Sequence, residues 1–122
     1  MNFAALDTYL ERERVRAATS FALDEELGTH HGISSSDFVL LQSLQDGAEL
    51  SHADLAHQLG LRRSHLLIRI RPLEKVGLVL RTSDRQNRRV ALLSAAGRRL
   101  LYEARETAAG VCQRCGTDAW RS

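Results

Sequence analysis

The densest chemistry in this sequence is cationic. Residues 61–99 hold eleven Arg and Lys against two carboxylates, Glu74 and Asp84, whereas residues 1–60 hold three Arg against ten carboxylates and residues 100–122 carry three of each. The whole-chain charge of +2 conceals that segregation. Of the 17 basic side chains only Lys75 is not Arg, and the forked guanidinium suits phosphate oxygens and guanine edges better than an ammonium does. A basic module of this density, set behind an acidic segment, points to a nucleic-acid surface rather than to a general solubility device.

Other reactive groups are sparse. Cys112 and Cys115 form a single Cys-x-x-Cys pair, without the second pair or the spaced His pair that a structural zinc site within one chain requires. Two readings of the pair stand side by side: a redox switch, whose disulfide would stress the last helix, and two ordinary thiols at a fraying end. His30 and His31 lie beside Asp24, Glu25 and Glu26, which offers metal ligands if a partner chain adds a thiolate, and otherwise reads as a solvated loop. The expectation is no metal and no cofactor. Ser34, Ser35 and Ser36 sit at a helix start rather than in a Gly-x-Ser-x-Gly elbow, and no Gly-rich phosphate loop is present, so no enzyme is expected.

The cationic groups need a scaffold, and the length supplies one domain's worth of it. A chain of 122 residues with 43% apolar and 26% charged side chains is expected to fold as a single globular domain over 1–122. No apolar run exceeds five residues and the N-terminus lacks a signal-peptide h-region, which predicts a cytoplasmic protein without membrane contact.

Helical periodicity dominates. Phe3, Leu6, Leu10, Ala17 and Phe21 recur at helical spacing over residues 3–27, with Gly28 as the expected stop and Thr29–Gly32 as a loop. Ser34 with Asp37 reads as a cap for a short helix carrying Phe38, Leu41 and Leu44 up to Gly47. Ser51 with Asp54 repeats the pattern for Leu55, Ala56 and Leu59, closed by Gly60. From Arg62 to Val76 a densely basic helix keeps an apolar seam at Leu66, Ile70 and Leu73. The period then shortens: Leu78–Leu80 and Val90–Leu93 read as two strands around a charged tip at 81–89. Ser94 caps a last helix with Leu101, Ala104, Ala108 and Val111 inward, and Gly116–Ser122 reads as a frayed tail.

Helix, tight turn, basic helix and a ribbon with an Arg-rich tip is the element order of a winged helix-turn-helix. The stretch Ala53-Asp54-Leu55-Ala56-His57-Gln58-Leu59-Gly60-Leu61-Arg62-Arg63-Ser64 resembles the helix-turn-helix of MarR-type transcriptional regulators. Leu73-Glu74-Lys75-Val76-Gly77-Leu78-Val79 is similar to the family's exit from the recognition helix, Asp84-Arg85-Gln86-Asn87-Arg88-Arg89 to its wing, and Leu93-Ser94-Ala95-Ala96-Gly97 to the lead-in of the following helix. The similarity covers roughly residues 34–105. It implies a mainly α fold with a small β-hairpin wing, in which 1–28 and 95–115 are dimerisation helices and 34–94 is a DNA-binding lobe. It further implies a homodimer on a pseudo-palindromic operator in double-stranded DNA, repressing transcription and released by a small ligand or by oxidation.

Carried over residue by residue, the resemblance puts Arg62, Arg63, Ser64 and His65 in the first turn of the basic helix, with Arg63 and His65 as base readers. Arg69 and Arg71 are expected on phosphates, Arg85, Arg88 and Arg89 in a minor groove or on its phosphates, and Asp84 is expected to fix the wing by pairing with an Arg. Three departures stand out. Arg62 occupies a position often held by a capping Ser, and Pro72 is expected to end or bend the helix at Arg71. Leu67 and Ile68 stand where polar side chains are usual, so they touch either thymine methyls or a protein. The function expected is therefore a sequence-specific DNA-binding regulator, with a winged-helix protein-interaction module that has lost DNA reading as the alternative.

Overall fold

The computed structural model describes residues 1–47 and 50–118, and within it five helices and one antiparallel hairpin. They are α1 (Ala4–His31), α2 (Ser35–Asp46), α3 (His52–Leu59), α4 (Arg63–Lys75), β1 (Val79–Ser83), β2 (Arg89–Leu93) and α5 (Ala95–Asp118). This is the mainly α fold with a small β-hairpin that the periodicities predict. Contacts cluster into two units, Met1–Ser35 with residues from Ala104 onward, and Ser36–Glu103.

In the first unit α1 runs past Gly28, the expected stop, by a full turn. A helical glycine costs only about 1 kcal/mol relative to Ala, too little to end a helix whose neighbours continue it. The stop is Gly32, which takes the left-handed conformation (φ 70°) and returns its N–H to the carbonyl of Gly28. The expected loop over Thr29–His31 is therefore helical, and His31 Nε2 lies 2.8 Å from Thr107 Oγ1 of α5. Leu27, Ile33, Ala104, Ala108 and Val111 are buried, but the apolar face read from the sequence is not: Phe3, Leu6, Leu10 and Phe21 all stand exposed, Phe21 at 69%. Helix α5 continues through Gly116 to Asp118, where a frayed tail was expected; the rest of that stretch, 119–122, lies outside the described residues. The first N–H of α2, Ser35, donates to the Asp24 carboxylate at 2.7 Å, a partner that the cap expected at Ser34 with Asp37 did not foresee.

The second unit is the lobe. Ser51 caps α3 as its spacing predicts, its hydroxyl accepting the Asp54 N–H at 3.1 Å, and Gly60 closes that helix. Leu66, Ile70 and Leu73 form the buried inner seam of α4, and Leu40, Leu41 and Leu55 of the same unit are buried as well. Helix α4 carries Pro72 without ending at Arg71: it persists to Lys75, and the Val76 N–H closes onto the Pro72 carbonyl at 3.1 Å. Because Pro lacks only its own N–H, the remaining turns keep their bonds, and the buried Ile70 and Leu73 on either side hold the helix in place.

The hairpin is longer in pairing and shorter in tip than expected. Val79 pairs with Leu93 and Ser83 with Arg89, so Arg81, Thr82, Ser83 and Arg89, expected in a charged loop at 81–89, are strand residues and the tip is 84–88. Pairing with β2 rather than an alternating apolar pattern sets the extension, since Val79 is buried and the four residues after it are all exposed. A bridge from Ser51 to Val90 ties β2 to the residue that caps α3. The Ser94 hydroxyl donates to the Gly77 carbonyl at 2.6 Å and accepts the Gly97 N–H at 2.9 Å, which joins the end of α4 to the start of α5.

Candidate nucleic-acid interface

Arg62 precedes α4 as its N-cap without any side-chain capping bond, and Arg63, Ser64 and His65 fill the exposed first turn. That turn contains no acidic residue. Arg69 and Arg71 follow on the same helix, also exposed. The wing contributes Arg85, Arg88 and Arg89, again exposed.

The two carboxylates of the cationic segment are both occupied, each by one wing Arg. Glu74 on α4 receives the Arg81 guanidinium in a two-point pair, Nη2 to Oε1 at 2.9 Å, which clamps β1 to the helix and holds Arg81 strongly protonated. Asp84, whose side chain is 6% exposed, accepts the Arg88 and Gln86 backbone N–H groups at 2.9 Å and the Arg88 Nε at 2.8 Å. These bonds, led by the Arg88 backbone N–H, hold its carboxyl below the ordinary carboxylate value. They close a tip in which Asn87 adopts φ 60°. Arg88 is therefore partly committed to the wing's own structure. Arg62, Arg63, Arg69, Arg71, Lys75, Arg85 and Arg89 have no carboxylate partner among the described residues. The surface thus presents seven unpaired cations with the local anions already satisfied.

Reasoning from sequence missed three residues here. Lys75 continues the outward face of α4 and was visible from helical spacing alone. Glu74 was visible as the lone carboxylate of a basic helix. His52 gave no signal, because the residue after a helix cap is usually solvated; here it is 1% exposed, and neither ring nitrogen has a hydrogen-bond partner among the described residues.

His52 also reports the field of the cationic face. Burial, and then Arg63, Arg81 and Arg89, hold its imidazole below the ordinary 6.5, so it is neutral in the folded lobe at pH 7. The unfolded chain binds that proton more readily than the folded one, so stability is complete above about pH 6.5 and falls as the pH drops below it. The expected result is a urea midpoint that is level from pH 8 to 7 and declines towards pH 5.5, with the decline reduced in His52→Leu. An equal decline in the variant would remove His52 from the account.

The other reactive groups belong to the first unit. His30 pairs with Glu26 at 3.2 Å, and no group of three or more His, Cys, Asp or Glu gathers at metal-binding distance among the described residues. Cys112 is exposed and Cys115 half-buried, both as free thiols. No helix among the described residues is long and apolar enough to cross a membrane.

A two-helix turn followed by a hairpin, with unpaired Arg along the second helix and at the hairpin tip, defines a winged helix-turn-helix with a cationic face. The family model that matches is that of the MarR family, over residues 33–91, which spans α2 to the middle of β2, so this stretch is similar to the MarR family. Among solved structures, the transcriptional regulator BldR from Sulfolobus solfataricus is similar at TM-score 0.86 and 21% identity, covering 99% of this chain and 89% of that one. CouR from Rhodococcus jostii RHA1, bound to p-coumaroyl-CoA, is similar at TM-score 0.80 and 25% identity over 88% of this chain and 77% of that one. The MarR family protein Rv2887 from Mycobacterium tuberculosis, in complex with DNA, is similar at TM-score 0.72 and 28% identity over 88% and 80%. No curated protein matches the sequence.

Proposed function

We propose that this chain is a transcriptional regulator that binds double-stranded DNA sequence-specifically as a homodimer and represses from a pseudo-palindromic operator. The observation that carries the reading is the set of unpaired cations on α4 and the wing beside two carboxylates that are both neutralised. An α-helix fits the major groove, and a two-stranded tip reaches the flanking groove or backbone. The DNA complex of the 28% identical relative supports the same use of the fold. The exposed Leu6, Tyr9, Leu10 and Phe21 of α1, with Phe3 at its N-cap, support the dimer, because a row of large apolar side chains along one helix is stabilised by a second copy.

In this proposal Arg62, Arg63, Ser64 and His65 enter the groove, Arg63 and His65 read base edges, and Arg69, Arg71, Arg85, Arg88 and Arg89 hold phosphates, with Asp84 shaping the tip. Release by a small ligand is supported by the acyl-CoA complex of a relative, and Cys112 and Cys115 are the groups through which oxidation would act. Sedimentation should give twice the 13.6 kDa chain mass. Arg63→Ala should cost about 1–3 kcal/mol on the preferred duplex and relax preference at one base pair, whereas Arg85→Ala should weaken preferred and random duplexes alike. Equal losses from both variants on both duplexes, read by anisotropy, would refute the division of roles.

A further inference from the structure

The outermost stripe of α4 is not purely cationic. Ser64, Ile68, Arg71 and Lys75 recur at i, i+4, i+7 and i+11 and are all exposed, and Ile68 lies about 200° around the helix from the buried Leu66. Ile68 is 64% exposed at the middle of that stripe. Its neighbour Leu67 is half-buried and about 100° away, on the flank. A β-branched side chain in a helix keeps essentially one χ1 rotamer, so Ile68 presents a fixed apolar knob.

The surroundings decide what that knob meets. Arg62, Arg63, Arg69, Arg71 and Lys75 lie around it without carboxylate partners. An apolar protein surface pressed onto Ile68 would bury those cations unpaired, which is strongly unfavourable. A duplex neutralises them with the phosphates on either side of the major groove. Of the unmodified bases only thymine projects an apolar group onto that groove floor, its C5-methyl. We propose that Ile68 is a specificity-determining residue that packs against a thymine 5-methyl group at the centre of each half-site. The inference rests on the DNA-binding reading above and adds to it an apolar contact from this helix.

The test uses a duplex enriched by the full-length protein from a random-sequence pool. Each thymine is then replaced in turn by deoxyuridine, which deletes the methyl and keeps every hydrogen-bonding edge. The wild type is expected to lose about fourfold in affinity at one thymine per half-site, the worth of one buried methyl. Ile68→Val should keep that sensitivity, and Ile68→Ala should bind the thymine and deoxyuridine duplexes equally. Insensitivity of the wild type to every replacement, or sensitivity that persists in Ile68→Ala, overturns the assignment while leaving DNA recognition intact. Failure to enrich any duplex overturns DNA recognition itself, and this assignment with it.

Discussion

Gly97→Ala is expected to destabilise the lobe by about 3 kcal/mol, the upper end of what overpacking a core by one methyl costs. Ordinarily the same change in a helix stabilises by up to about 1 kcal/mol, because Ala loses less backbone entropy than Gly. Here the sign reverses. A Cβ on Gly97 would lie 2.1 Å from the Leu78 carbonyl oxygen and 3.3 Å from Leu93 Cδ2. That oxygen is backbone, already accepting the Ser94 N–H at 3.0 Å, so it has no rotamer through which to retreat. The start of α5 must therefore lift away from Leu78, the residue before β1, and the bonds of Ser94 to Gly77 and Gly97 go with it. Gly28, whose Cβ would meet nothing within 4 Å, is the matched control, and Gly28→Ala should stabilise. Urea unfolding of the two variants distinguishes the cases: a Gly97→Ala midpoint at or above wild type would show that the approach of α5 to Leu78 is looser than described.

Replacing Arg62, Arg63, Arg69 and Arg71 together by Gln should abolish useful DNA binding while leaving the fold intact. Each phosphate contact contributes about 0.9 to the slope of log affinity against log salt, so losing those of Arg69 and Arg71 reduces that slope by about 2. With the loss of the Arg63 base contact added, at about 1–3 kcal/mol, the loss of affinity at 0.1 M salt is about a thousandfold. The fold should survive because all four side chains are exposed and none belongs to the two ion pairs that organise the lobe. Far-UV circular dichroism checks that survival, and anisotropy titration reads the loss. A fourfold variant that still binds with the wild-type salt slope would show that the basic helix does not face phosphate.

How much of this was legible from residues alone differs by feature. Elements with a strong period and a local cap came through: Ser51 with Asp54 fixes α3, and Leu66, Ile70 and Leu73 fix the inner face of α4. The boundaries set by tertiary contact did not. Gly28 looks like a stop because glycine often ends helices, yet the residue that takes a left-handed φ is Gly32, and no local pattern separates the two. Pro72 looks like a break because the rule concerns an isolated helix, whereas packed Ile70 and Leu73 carry this one through. The site divides the same way. The cationic residues are readable because charge is written in the sequence, and Asp84 because a short wing motif surrounds it. Which Arg are free and which are spent is not readable: the partition of Arg81 to Glu74 and Arg88 to Asp84 depends on pairing register and on the turn at the tip. The burial of His52 beneath that face belongs to the same category.

The free cations on α4 and the wing are proposed to serve sequence-specific recognition of double-stranded DNA. The most direct test is a fluorescence-anisotropy titration of the full chain, comparing a duplex enriched from a random-sequence pool with a scrambled duplex of equal length across 50–200 mM salt. The account predicts that the enriched duplex binds at least a thousandfold more tightly at the upper end of that range, with a log–log salt slope of about −5 or steeper. Equal, weak and shallow binding to both duplexes would contradict it, leaving a charged winged helix that recognises a protein partner instead.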